Sequence, residues 1–185
     1  MRSFASAADW SAWLEAEYAK SAGCWLKISK KTADQASVSY AEALDVALCF
    51  GWIDGQKRAL DEDYWLQRFT PRKSGSRWSE INTTKAEALI AAGRMRPAGQ
   101  REVDAARADG RWDAAYQGQR ASTVPDDLRE ALDANPTAAA FFDSISSANR
   151  YAIIYRIGSV KRAETRARKI AQYVQMLAEH KTIHP

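Results

Sequence analysis

The sequence predicts an α+β protein: a small N-terminal α+β domain with a short β-sheet over residues 1–117, then an all-helical subdomain over 124–185. Three observations predict it. The strand-like segments, an alternating one at Cys24–Lys30 and an aromatic-rich one at Tyr64–Thr70, are confined to the first half of the chain. Cap and breaker residues at helical spacing follow one another through the last third. Between them, Tyr116–Pro125 is small, polar and without period, and reads as the linker. With 185 residues, 46% apolar and 27% charged, the chain has enough apolar content to build cores and too much to stay disordered.

In chain order, Ser6 and Asp9 open a helix whose Trp10, Trp13, Leu14 and Tyr18 share one face, and Ala22-Gly23 closes it. Cys24, Leu26 and Ile28 then alternate with Trp25, Lys27 and Ser29, as in a half-buried strand. Ser39 and Glu42 form a capping box for a helix with Ala43, Leu44, Ala47 and Leu48 on its apolar stripe, ended by Gly51. Gly51–Gly55 reads as a turn, and Tyr64–Thr70 as a second strand stopped by Pro71. Ser79 or Thr83 starts a helix that ends at Gly93, and Pro97 opens one that stops at Gly110. Beyond the linker, Pro125–Ala134, Pro136–Asp143, Ser147–Ile157 and Lys161–Glu179 are helical, the last with Ile170, Val174 and Leu177 on one stripe.

Several function classes are excluded or disfavoured. The longest nearly apolar stretch, Val46–Ile53, cannot span a bilayer, so no membrane partner is expected. The residues from Met1 to Trp10 lack the apolar core of a secretory signal, and a cytoplasmic location is expected. Cys24 and Cys49 are too few for a disulfide framework. His180 and His184 have i, i+4 spacing but sit at the extreme terminus, so no metal is expected. Neither a P-loop, a Gly-x-Gly-x-x-Gly run nor a nucleophile elbow occurs, and no cofactor is expected.

The formal net charge of +4 is unevenly placed. Residues 1–67 carry a net −3, residues 68–101 a net +6, and residues 148–169 another +6. In the first basic block, Arg68, Arg72 and Arg77 interleave with Trp65, Phe69 and Trp78, the residue types that pair with and stack on an anionic, planar ligand. Asp54 lies between two glycines beside Trp52, where flanking glycines permit close approach of another group. The preferred reading is therefore a small anionic or planar ligand bound by Trp52, Asp54, Arg68, Arg72, Arg77 and Trp78. A second reading makes Asp54 or Glu42 the acid or base of an enzyme. A third makes Arg162, Arg166 and Lys169 part of a nucleic-acid or protein adaptor face; nucleic acid is not favoured, since a solvated helix face explains these cations better. Oligomeric state is open.

The chain resembles the bacterial YdeI/OmpD-associated family at Ser39–Gln56, Gln67–Asn82, Gly93–Gly99, Ser147–Arg156 and Lys161–Ile170. The family is labelled a bacteriocin-protection or antimicrobial-stress group. The resemblance implies a role of that kind and no established catalytic activity, ligand or cofactor.

Overall fold

Local capping sets the first helices. The computed structural model describes residues 1–33, 36–119 and 121–185. In it Ser6 and Asp9 exchange hydrogen bonds across the first turn of α1 (Ala7–Glu17), and Ser39 and Glu42 do the same for α2 (Tyr40–Cys49). Each box satisfies backbone N–H groups that a helix start leaves over. Gly51, at φ +73°, then reverses the chain out of α2 in a conformation that side chains with a Cβ rarely adopt.

The sheet has three antiparallel strands in the order β1-β3-β2: β1 is Cys24–Ser29, β2 is Trp52–Ala59 and β3 is Tyr64–Pro71. The turn expected over Gly51–Gly55 is a correction, because residues from Trp52 onward are the start of β2. The two glycines act separately. Gly51 makes the reversal, while Gly55 lies in a bulge between Asp54 and Lys57, where β2 carries one residue more than β3. The buried Gln67 holds this bulge: its Nε2 donates to the carbonyls of Gly55, Gln56 and Arg68 at 3.1, 3.3 and 3.2 Å.

Pleating sends alternate side chains to opposite faces. Paired residues Cys24 and Phe69, Leu26 and Gln67, and Asp54 and Phe69 face the helices; Trp25 and Arg68, and Lys27 and Leu66, face the other way. The bulge changes the phase of β2, so that Arg58, opposite Leu66, joins the second group.

The inner face packs on an aromatic core. Trp10 stacks on Trp13 with ring centres 5.2 Å apart, and meets Trp52 edge-on at 6.2 Å and Phe69 at 5.8 Å. Two of the buried indoles are satisfied here: Trp10 Nε1 donates to Ala43 O at 3.1 Å, and Trp52 Nε1 to Tyr18 O at 3.2 Å. Helices α3 (Glu80–Ala91) and α4 (Pro97–Ala108) add Ala86, Leu89, Val103 and Ala106 to this core.

Chain contacts divide the molecule into two units, Met1–Ala115 and Tyr116–Pro185. The linker expected at Tyr116–Pro125 runs across residue 120, which lies outside the described residues. The second unit contains α5 (Asp126–Asp133), α6 (Pro136–Ser144), α7 (Ser147–Gly158) and α8 (Ala163–Ala178). Its core is Leu128, Leu132, Phe142, Ile153, Ile157 and Leu177 with their neighbours. No described helix is long and apolar enough to cross a membrane.

Gly99, near the start of α4, lies against the end of α2, and a Cβ there would collide with the carbonyl oxygens of Leu48 and Cys49. Gly99→Ala is expected to lower stability by about 1–3 kcal/mol, the usual cost of overpacking against backbone. Urea unfolding followed by tryptophan fluorescence checks this, and a variant as stable as the parent refutes the close approach.

Candidate functional site

The six residues expected to form a ligand cleft do not converge on one. Trp52 is 1% exposed, its ring enclosed by Trp10 and Trp13 and its N–H spent on Tyr18 O, so it is core and no wall for a ligand. Trp78 is likewise 1% exposed; its ring lies 4.9 Å from that of Trp112 and carries the Arg72 guanidinium 3.5 Å from its centre. Arg72 is itself buried, and its Nη1 donates to Arg77 O across the 72–77 loop. This pair braces the loop from within, and Trp78 Nε1 stays buried beside it with no hydrogen-bond partner among the described residues. Arg77 is half-buried.

Asp54 lies on the helix side of β2 and accepts a hydrogen bond from Tyr40 Oη at 2.8 Å. Glu42 is occupied in the α2 cap, where the Ser39 hydroxyl holds its carboxyl below the ordinary range. Asp45 takes Lys85 Nζ at 2.6 Å and ties α2 to α3. These carboxylates thus have local structural work. Burial pushes the thiols of both Cys24 and Cys49 up. Among the described residues, no group of three or more His, Cys, Asp or Glu could hold a metal ion.

Arg68 belongs to a different surface. It lies opposite Trp25 on the outer face of the sheet, with its guanidinium 5.6 Å from the Trp25 ring centre. Arg58 reaches the same ring at 4.6 Å. Two residues along β1, Lys27 places its ammonium 3.5 Å from the centre of the Tyr64 ring. Asp54 is the one carboxylate in the three strands, and it points inward. The strands therefore put three cations and two aromatic rings on the outer face and no acid among them, an arrangement suited to stacking and pairing with a planar anion; at its Tyr64 end the β2–β3 turn carries Asp61, Glu62 and Asp63, and the Asp61 carboxylate accepts from Tyr64 N. Sequence reasoning picked out Arg68 but missed Trp25, Lys27, Arg58 and Tyr64. The alternation of Cys24–Lys30 already placed Trp25 and Lys27 on the polar face of a strand; Arg58 needed the bulge.

Two cavities lie elsewhere. One of about 280 Å³ in the first unit is lined by Ser11, Cys49, Phe50, Arg94, Met95 and Arg96, at the closed end of α2. There Arg96 N donates to Cys49 O, and the Arg96 guanidinium reaches Glu15 at 3.8 Å. The other, about 630 Å³, is a mostly apolar groove between α5 and α8 in the second unit, with Asp127 and Arg166 in its wall.

Two cations of the second basic block, Arg166 and Arg150, are committed to closing helices of their own unit. Arg166 forms a two-pronged pair with Asp127, at 2.6 and 2.9 Å, and its Nη1 caps Ile157 O at the end of α7. Arg150 donates to Asp143 O and Ile145 O at the end of α6. Of the residues expected on an adaptor face, Arg166 is thereby turned to structural use.

Residues 2–102 match the family described as Domain of unknown function (DUF8412), and residues 121–180 match Bacteriocin-protection, YdeI or OmpD-Associated. The motifs at 39–56 and 67–82 fall within the first match. No curated protein and no solved structure matches the chain.

The hydrogen bond from Arg166 holds the Asp127 carboxyl below its ordinary range. A depressed carboxylate contributes stability above its unfolded pKa, near 3.9, and loses it as pH falls through the lower folded value. Asp127→Asn is therefore expected to cost up to about 1 kcal/mol at pH 7, the upper end for a partly exposed pair. The difference from the parent should shrink from pH 7 to acid solution in which the carboxyl is protonated in both states. Urea unfolding followed by helical circular dichroism at both pH values checks this; a difference that persists in acid rules out the ion pair as its source.

Proposed function

This chain belongs to the family described as Domain of unknown function (DUF8412) and carries a YdeI/OmpD-associated segment, and we propose that it is a binding protein whose outer sheet face takes an anionic, planar ligand. The observation that carries the reading is Trp25 flanked by the guanidinium groups of Arg58 and Arg68, on a face to which the strands contribute no carboxylate. An aromatic ring gives a stacking surface of low conformational cost, and guanidinium forks pair with phosphate or carboxylate. Asp54, Arg72, Arg77, Trp52 and Trp78 support the sheet and its loop and do not touch the ligand. A carboxylate enzyme is less well supported, because Glu42 is held in the α2 cap and Asp54 accepts from the Tyr40 hydroxyl.

The bacteriocin-protection description extends this reading: protection would follow from capture of such a ligand. We place the protein in the cytoplasm, where two buried, unlinked thiols stay reduced.

Adenosine monophosphate, with adenosine and inorganic phosphate as partial probes, tests the site by isothermal titration calorimetry. The nucleotide should bind more tightly than either part. Arg68→Ala and Arg58→Ala should each weaken it by about fivefold or more, the loss expected of a charged hydrogen bond. No heat at millimolar nucleotide, or affinity unchanged in both variants, overturns the reading.

A further inference from the structure

We infer that the outer face of the sheet binds single-stranded nucleic acid, a deepening that rests on the sheet-face reading above. Trp25 pairs with Arg68, and Tyr64 lies four residues from Arg68 along β3, so the two rings are offset by about 13 Å along the strands. Halfway between them runs the row Lys27, Leu66, Arg58. The face thus reads ring, cations, ring, with a step of about 6.6 Å, two residues of strand.

A mononucleotide can occupy one ring and its nearest cations. It cannot reach the second ring as well, about 13 Å along the strands. A polynucleotide meets both conditions, since it supplies repeated planar bases and a charge every ~3.4 Å or more along the strand. Stacking platforms combined with a cationic track are the means by which single strands are held without reading sequence. A duplex keeps its bases stacked inside and offers only phosphate. An acidic peptide offers charge with nothing to stack. The interleaving of rings with cations favours the single strand over both.

The Arg58 contribution depends on the β-bulge. Without the extra residue in β2, position 58 would fall on the helix side of the sheet. The bulge, held by Gln67, brings the third cation to the face and completes the row with Lys27.

The experiment is fluorescence anisotropy of labelled oligo(dT) and oligo(U) 12-mers with the full chain, from 50 to 300 mM salt. With three cations on the strand, log K should fall against log salt with a slope of about −2, and Lys27→Ala should flatten it by about 0.7. Trp25→Ala and Tyr64→Ala should each weaken binding by about fivefold or more, while Trp25→Phe keeps most of the affinity because a ring remains. Circular dichroism verifies that each variant is folded, and Trp25→Phe carries the comparison if Trp25→Ala is not. Preference for one 12-mer identifies the strand as DNA or RNA. If duplex DNA or polyglutamate of equal charge competes as well as the 12-mers, the inference is overturned. If adenosine monophosphate binds at Trp25 but the 12-mers bind no more tightly, the inference fails and the sheet-face reading survives. If none of them binds, both fail.

Discussion

The two-residue period of the pleated sheet is the constraint on which the first unit depends. Because alternate side chains must point to opposite faces, one register decides at once which aromatic residues build the core and which remain at the surface. Trp52 and Phe69 turn inward to meet Trp10. Trp25 and Arg68 turn outward. A slip of one residue would exchange the two sets and put Arg68 where Phe69 packs, so burial of the aromatic cluster and orientation of the cationic face are secured by the same hydrogen-bond ladder. The bulge is the one departure from that rule, and the buried Gln67 amide, satisfied by three carbonyls, keeps it in place.

The fate of the first basic block follows from how a small unit closes its loops. A loop between strand and helix carries backbone groups that need partners, and a long cationic side chain can supply donors while its stem covers apolar surface. Arg72 does so by lying on Trp78 and donating to Arg77 O; Arg111 does so by donating to Ser76 O. Arginine and tryptophan are drawn together by the same quadrupole attraction whether they brace a loop or receive a ligand. Burial separates the two cases, since the Trp78 ring is enclosed while Trp25 keeps part of its surface in solvent.

The second unit uses its cations in a parallel way. The ends of α6 and α7 leave carbonyl oxygens without intrahelical partners, and Arg150 and Arg166 supply them. Arg166 in addition pairs with Asp127, joining α5 to α8 beside the apolar groove. Of the cations behind the net +6 over 148–169, these two close helices, while Arg156, Lys161, Arg162 and Arg168 remain exposed.

The sequence by itself determined the fold class and most element ends, because those depend on neighbours three or four residues away. Ser6 with Asp9, Ser39 with Glu42, Pro97 at a helix start and the alternation at Cys24–Ser29 are complete within one or two turns of chain. It also set Arg68 among cations interleaved with aromatic residues. Only the tertiary structure decided the rest. A glycine in a turn and a glycine in a bulge look alike until the partner strand is present, so Trp52–Ala59 became a strand through its pairing with β3. Whether a tryptophan among arginines is core or surface depends on which side of the sheet it takes and on what packs there. Local alternation already sets Trp25 on the polar side of its strand, whereas Trp52 is made core by Trp10 and Trp13, tens of positions away, which no local spacing records.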